Sequence, residues 1–141
     1  MLRPIVFALA TAAAVAPQCG TSSTPGAVVN FQSIVVNAGP ANNYFNGAFT
    51  TVTVCVPGQS SCQTIDGVLV DTGSTGLRIL ASKLTLSLPQ QTDSAGSPIA
   101  ECAQFLDGFT WGPVQTADVK MAGEQASNVP IQVIGAPAFS S

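Results

Sequence analysis

Val68-Leu69-Val70-Asp71-Thr72-Gly73-Ser74-Thr75-Gly76-Leu77 is the stretch on which the reading of this chain turns. Three apolar residues lead into an acid, and only hydroxyl and glycine residues follow before the next apolar side chain. A short apolar run bounded by turn residues reads as a buried strand, here with a carboxylate at its end, in a turn whose glycine lets the backbone pass close. The hydroxyls of Thr72 and Ser74 and the neighbouring N–H groups can hold that carboxylate, and every such bond favours its ionised form. On its own an Asp-Thr-Gly tripeptide is an ordinary Asx-type turn, so its meaning depends on what surrounds it.

Working outward, Phe49-Thr50-Thr51-Val52-Thr53-Val54-Cys55 is rich in β-branched residues, and the return from Thr64 to Val70 makes it one arm of a predicted hairpin. Cys55 and Cys62 flank its turn-rich tip and are predicted to pair as a disulfide; a zinc site would need four ligands at better spacing and finds no histidine. Upstream, Val28 to Val36 reads as a first strand, ended by Gly39-Pro40-Ala41-Asn42-Asn43. Downstream, Ile79 to Lys83 and Leu84 predict one or two helical turns before Pro89. Gln90 to Pro98 is a polar loop. Ile99 to Trp111 predicts a hairpin around Asp107-Gly108, Pro113 to Met121 a strand, Ala122-Gly123-Glu124 a turn and Val129 to Ile134 a last strand.

At 141 residues, 46% of them apolar, the chain holds one ordinary domain. Charged residues are only 8% and the formal net charge is −3, so there is no basic surface for nucleic acid or anionic lipid. Scarce charge with abundant Thr, Ser, Gln, Asn, Gly and Pro also argues for a mostly β domain. Histidine is absent, which removes Ser-His-Asp and Cys-His nucleophile pairs and His-ligated metals. Chemistry must run on carboxylates, hydroxyls, thiols, backbone groups or the cations Arg78, Lys83 and Lys120, and no cofactor or metal is expected.

Met1-Leu2-Arg3-Pro4 followed by uncharged Ile5 to Ala16 has the form of a signal peptide, read over residues 1–18, with Ala14-Val15-Ala16 as a cleavage-type match. A flexible linker, 19–27, follows, and Cys19 at its start is a lipidation candidate. The expectation is an exported protein, periplasmic, secreted or lipid-anchored at the cell envelope, touching membrane only through such an anchor. In that oxidising setting Cys102 is left over, which suggests a partner on further sequence.

With these residues in hand, the chain resembles the pepsin-like aspartic peptidases. Asp71-Thr72-Gly73-Ser74 followed by Thr75-Gly76-Leu77 matches their catalytic-aspartate loop in residue type and spacing. Tyr44-Phe45-Asn46-Gly47 and Val52 to Gly58 resemble their first hairpin, and Phe105-Leu106-Asp107-Gly108-Phe109-Thr110-Trp111-Gly112 resembles the flap hairpin that closes over substrate. Gly112 to Val119 and Val129 to Gly135 resemble the later strands of that lobe. The likeness spans roughly residues 40–135, and only the Asp71 loop is specific by itself. The fullest likeness, including Ile99 to Phe105 and Thr116 to Lys120, is to an uncharacterised family of exported bacterial proteins carrying the same motif.

The resemblance implies an all-β fold over residues 28–141, the N-terminal lobe of a pepsin-like acid-protease barrel, incomplete, with a flap-like hairpin. It implies a catalytic set of Asp71, Thr72, Gly73 and Ser74, and substrate contacts from Phe105, Gly108 and Trp111. Two departures stand out: Arg78 replaces a characteristic aromatic, and Phe105 lacks the hydroxyl of the family's flap tyrosine.

Peptide hydrolysis of this kind needs two carboxylates sharing a proton, one drawing a proton from water and the other donating to the peptide carbonyl. Asp66, Asp93, Asp107 and Asp118 are not followed by Thr-Gly or Ser-Gly and read as exposed loop or strand-edge acids. The sequence therefore predicts half a site, with the second aspartate on a second lobe encoded by missing sequence or on a homodimer partner, and a peptide as substrate. A non-catalytic exported binding or structural lipoprotein with the same lobe fold is the alternative expectation.

Overall fold

Gly47–Cys55 and Cys62–Leu69 form the hairpin from which the rest of the sheet is built. In the computed structural model, which describes residues 30–139, five further strands join it: β1 (Val35–Asn37), then β2 and β3 (the hairpin), β4 (Leu77–Leu80), β5 (Ala100–Phe105), β6 (Gly108–Met121) and β7 (Glu124–Ile134). The signal-peptide reading, all but the end of the segment before β1, and Cys19 lie outside the described residues. The fold is all-β: one open, mixed sheet with the path β1-β2-β6-β7-β4, in which β3 also pairs with β2 and β5 with β6. Every pairing is antiparallel except β4 with β7. Two 3₁₀ turns, Ala81–Lys83 and Pro137–Phe139, complete the elements. Among the described residues no helix is long and apolar enough to cross a membrane.

Alternation explains the first hairpin. Val52 and Val54 enter the core, while Thr53 meets Thr64 across the ladder and Thr51 donates to Asp66 on the outer face. The predicted Cys55–Cys62 disulfide is formed, and these two residues are also cross-strand partners. Near its end β3 carries a bulge: Thr50 faces Val68 but Val52 faces Ile65, so Asp66-Gly67 holds one residue more than the partner strand. A bulge bends and twists its strand, and so helps aim the residues beyond it. Pairing continues to Val70, whose N–H donates to the Ala48 carbonyl, and Asp71 comes immediately after.

The core packs Val52, Val54, Ile65, Ile79, Leu88, Ala117, Ile131 and Val133 between the strands. Each of the larger of these methyl-rich side chains contributes roughly 1.5–3 kcal/mol when fully buried, which makes the β2–β3–β4–β6–β7 region the stable part of the molecule.

Four expectations change. The first strand is shorter than read: residues 30–34 are not in a strand, and pairing with β2 starts at Val35. Ile79 and Leu80, read as the start of helical turns, end a strand, Leu77–Leu80, because Ile79 is buried and the ladder to Ile131–Ile134 satisfies the backbone; only Ala81–Lys83 turns. The predicted hairpin arm and the strand from Pro113 merge into one 14-residue strand, β6. Its Val114 N–H donates to Ile99, so the missing N–H of Pro113 faces the other edge, where pairing with β7 begins only at Val114.

Asp118 is the fourth correction. Its sequence context reads as exposed, but it is only 5% accessible. One carboxylate oxygen accepts the N–H of Gly58 at the tip of the first hairpin, and the other accepts the N–H of Asn128. Asn128 lies at a bulge in β7, between the pairs Ala117–Val129 and Val119–Ala126, and a bulge leaves a backbone group unpaired. Asp118 supplies the missing acceptor, and these two bonds hold its carboxyl below its ordinary value.

Candidate functional site

The ladder from Phe49–Leu69 to the Val70 N–H bond brings β3 to its end at Asp71, but the apolar run expected to be buried is not: Val68 and Val70 are half-buried and Leu69 is exposed. The Asp71 side chain then folds back into its own turn: Oδ1 accepts the Gly73 N–H at 2.8 Å and Oδ2 accepts the Ser74 hydroxyl at 2.5 Å. The hydroxyl bond first, then the amide, lower the carboxyl's pKa, with a smaller contribution from the charge of Arg78 that partial desolvation opposes. Asp71 is therefore an exposed, ionised carboxylate at rest, the state required of a group that takes a proton from water. Thr72 is also exposed.

The backbone demand in this loop falls at Gly76 rather than Gly73. A Cβ on Gly73 would lie an ordinary 3.4 Å from Asp71 Oδ1, whereas Gly76 has φ +89, a region that side chains rarely tolerate. That turn feeds Leu77 into β4 and sets up Arg78, the next residue.

Arg78 joins the loop to the β5–β6 hairpin. Its Nη1 donates to the Thr75 carbonyl at 2.8 Å, Nη2 lies 3.5 Å from Glu101 Oε1, and the guanidinium carbon sits 5.4 Å from the Phe105 ring centre. Glu101 and Phe105 are both on β5. The same register places Gln132 of β7 directly beside Arg78. Gln132 is 1% exposed; its amide donates to the Glu101 carbonyl at 2.7 Å and, at a longer 3.4 Å, to the Thr110 carbonyl, while its oxygen accepts the Thr110 hydroxyl. Sequence reading passed over Gln132, since alternation with Ile131 and Val133 facing the core places it outward; it is buried because the β5–β6 hairpin covers that face, and nothing near it in the sequence signals this.

The hairpin itself has a two-residue tip, Leu106-Asp107, between the paired residues Phe105 and Gly108. Phe105, Leu106, Phe109 and Trp111 all present apolar surface to solvent there. Its root is pinned where Gly112 crosses β7: a Cβ on Gly112 would come 2.1 Å from the Val133 carbonyl oxygen, so only glycine permits this approach. Between the loop, the root of the hairpin and β7 lies an open cleft of about 550 Å³, walled by Thr75, Gly76, Ile99, Glu101, Cys102 and Ile131 among others. Cys102 is an exposed free thiol opposite Trp111 in the ladder. A larger hollow of about 740 Å³ is walled by Phe31, Gln32, Asp66 and Lys83, and neither space is lined by Asp71, Thr72, Gly73 or Ser74.

Of the residues singled out from sequence, Asp71, Thr72, Gly73 and Ser74 form one turn, and Phe105, Gly108 and Trp111 share one hairpin. Arg78 contacts Thr75, the residue that follows the first group, and Phe105 of the second. Among the described residues no three His, Cys, Asp or Glu side chains form a metal-type cluster.

No curated protein and no solved structure matches the chain. Residues 26–141, most of its length, match the family described as "Protein of unknown function (DUF3443)", and the chain belongs to that family.

Proposed function

We propose that this chain is an exported, aspartic-peptidase-like lobe that contributes Asp71 to a two-carboxylate peptide-hydrolysis site and is inactive alone. The observation that carries the reading is the Asp71 turn, an ionised carboxylate held by Gly73 and Ser74 at the exposed end of β3. In the proposed chemistry a second aspartate, from a second lobe or a second copy of this chain, shares one proton with Asp71. One carboxylate draws a proton from a water that attacks the peptide carbonyl carbon, and the protonated one donates to the carbonyl oxygen. The β5–β6 hairpin takes the part of a flap, offering Phe105 and Trp111 to the peptide, with Gly108 at its bend.

Support for needing a partner comes from the chemistry, because one carboxylate cannot be base and acid in the same step. The Asp-Thr-Gly turn occurs once in the 141 residues. A second reading, a non-catalytic binding or structural lipoprotein, draws on one observation: both oxygens of Asp71 already have partners within their own turn, as a purely structural turn would have.

Peptide cleavage assayed from pH 2 to 7, with sedimentation at the same concentrations, separates these readings. The monomer is expected to show no acid-optimum proteolysis, and any two-carboxylate form, dimeric or two-lobed, is expected to lose activity on Asp71→Asn. Pepstatin-sensitive cleavage by the monomer would refute the half-site. Activity that survives Asp71→Asn in the assembled form would refute the role of Asp71.

A further inference from the structure

We infer that Arg78 is a positioning residue, whose charge fastens the β5–β6 hairpin to the loop carrying Asp71. This deepens the proposed function, since the site's flap would be placed by it, but the contacts themselves do not depend on catalysis. Arg78 is the first residue of β4 past the Asp71 turn whose side chain reaches both partners. One end of its guanidinium holds the loop through the Thr75 carbonyl, and the other faces the Glu101 carboxylate and lies over the Phe105 ring. The Arg78 side chain is largely buried at 16% exposure, which shields its contact with the Phe105 ring, while the Glu101 side chain is 44% exposed and the ion pair is partly screened by solvent. Its Nε is buried with no hydrogen-bond partner among the described residues, a cost that the Thr75, Glu101 and Phe105 contacts offset.

The sheet register gives the arrangement its logic. Arg78 and Gln132 are direct neighbours on β4 and β7. Gln132 grips the Glu101 main chain and Arg78 the Glu101 side chain, so the hairpin root is tied twice at one residue. The Gln132 tie is neutral and fully buried, and fixes the root. The Arg78 tie also reaches Phe105, four residues beyond Glu101 at the turn end of β5, and connects that end to the loop that carries Asp71. A neutral side chain of similar length at position 78 could fill the space but could not hold the carboxylate or the ring face.

Trp111, the single tryptophan, lies on β6 in the hairpin and reports its state directly. The test compares the full chain with Arg78→Lys, Arg78→Met and Glu101→Gln by hydrogen exchange of the hairpin amides and by Trp111 fluorescence anisotropy. Arg78→Met is expected to speed exchange at Gln104 to Trp111 by about 5- to 30-fold and to lower the anisotropy, while the β2 and β7 amides keep their protection. Arg78→Lys should fall between the parent and Arg78→Met, and Glu101→Gln should give a smaller change in the same direction. Equal behaviour of the Lys and Met variants would overturn a role for charge. An unchanged hairpin, or exchange raised equally through β2 and β7, would overturn the positioning role, and if Arg78→Met does not fold, the Lys and Glu101→Gln variants decide by the same criteria. No arm reads proteolysis. Cleavage by the monomer, or assembled-form cleavage that survives Asp71→Asn, with this graded series intact would therefore defeat the proposed function alone, and a flat series beside Asp71-dependent cleavage would defeat the positioning role alone.

Discussion

Replacing Gln132 with leucine should be among the most damaging single changes to the hairpin root, and the cost can be worked from its bonds. Gln132 is 1% exposed and makes two short hydrogen bonds, to the Glu101 carbonyl at 2.7 Å and from the Thr110 hydroxyl at 2.8 Å, besides the longer contact to the Thr110 carbonyl. Leucine fits the volume approximately but leaves an acceptor and a donor without their partner, at about 1–3 kcal/mol each, and recovers part of that through apolar burial. The net loss should be about 2–4 kcal/mol. In urea titration followed by Trp111 fluorescence this moves the midpoint down by about 1–2 M for a domain of this size. Removing both partners tests the attribution. Thr110→Val alone should cost about 1 kcal/mol, and the double variant should be less destabilised than the sum of the singles by about 1 kcal/mol, because the orphaned hydroxyl is gone. A Gln132→Leu variant within about 0.5 kcal/mol of the parent, on the order of ordinary surface substitutions, would refute the reasoning, and so would strict additivity.

Ser74→Ala removes the bond that contributes most to lowering the Asp71 pKa, so the carboxyl should titrate closer to its ordinary value, as read by NMR of its carboxyl carbon. Unchanged titration would mean that the hydroxyl bond is not maintained in solution. Because the folded pKa of Asp71, and of Asp118, lies below the unfolded value, each contributes stability that is present above the unfolded value and is lost as pH falls through the folded one. Acid unfolding followed by circular dichroism should therefore move to higher pH in Asp118→Asn, while a parent-like transition would show that Asp118 is not specifically stabilised in its charged form. Closing the short Cys55–Cys62 loop, seven residues apart in sequence, is worth about 2.5 kcal/mol in the chain-entropy account, so reduction should lower the denaturation midpoint by that equivalent. A reduced chain as stable as the oxidised one would show that the bond adds no net constraint.

Short-range signals carry much of this fold. The β2–β3 hairpin follows from β-branched alternation and a turn-rich tip, and the disulfide from two cysteines flanking that tip. Asp107-Gly108 signalled the β5–β6 hairpin, although its tip is Leu106-Asp107 and Gly108 is already paired with Phe105. The Asp71 turn was legible because its bonds reach only two and three residues ahead, to Gly73 and Ser74. Leu77 to Leu80 misled because a short apolar run suits either period, and only the ladder to β7 settles it. Asp118 misled because its partners, Gly58 and Asn128, are brought to it by two separate turns.

The sequence by itself determined the all-β class, the absence of histidine chemistry and the position of the Asp71 turn, since these depend on composition and on contacts within a few residues. Tertiary structure alone decided that Arg78 and Gln132 stand side by side and jointly hold Glu101. Their strands are parallel neighbours joined by a long crossover, and which residues face one another in such a pair is set by the register of the whole sheet rather than by anything near either residue in the chain.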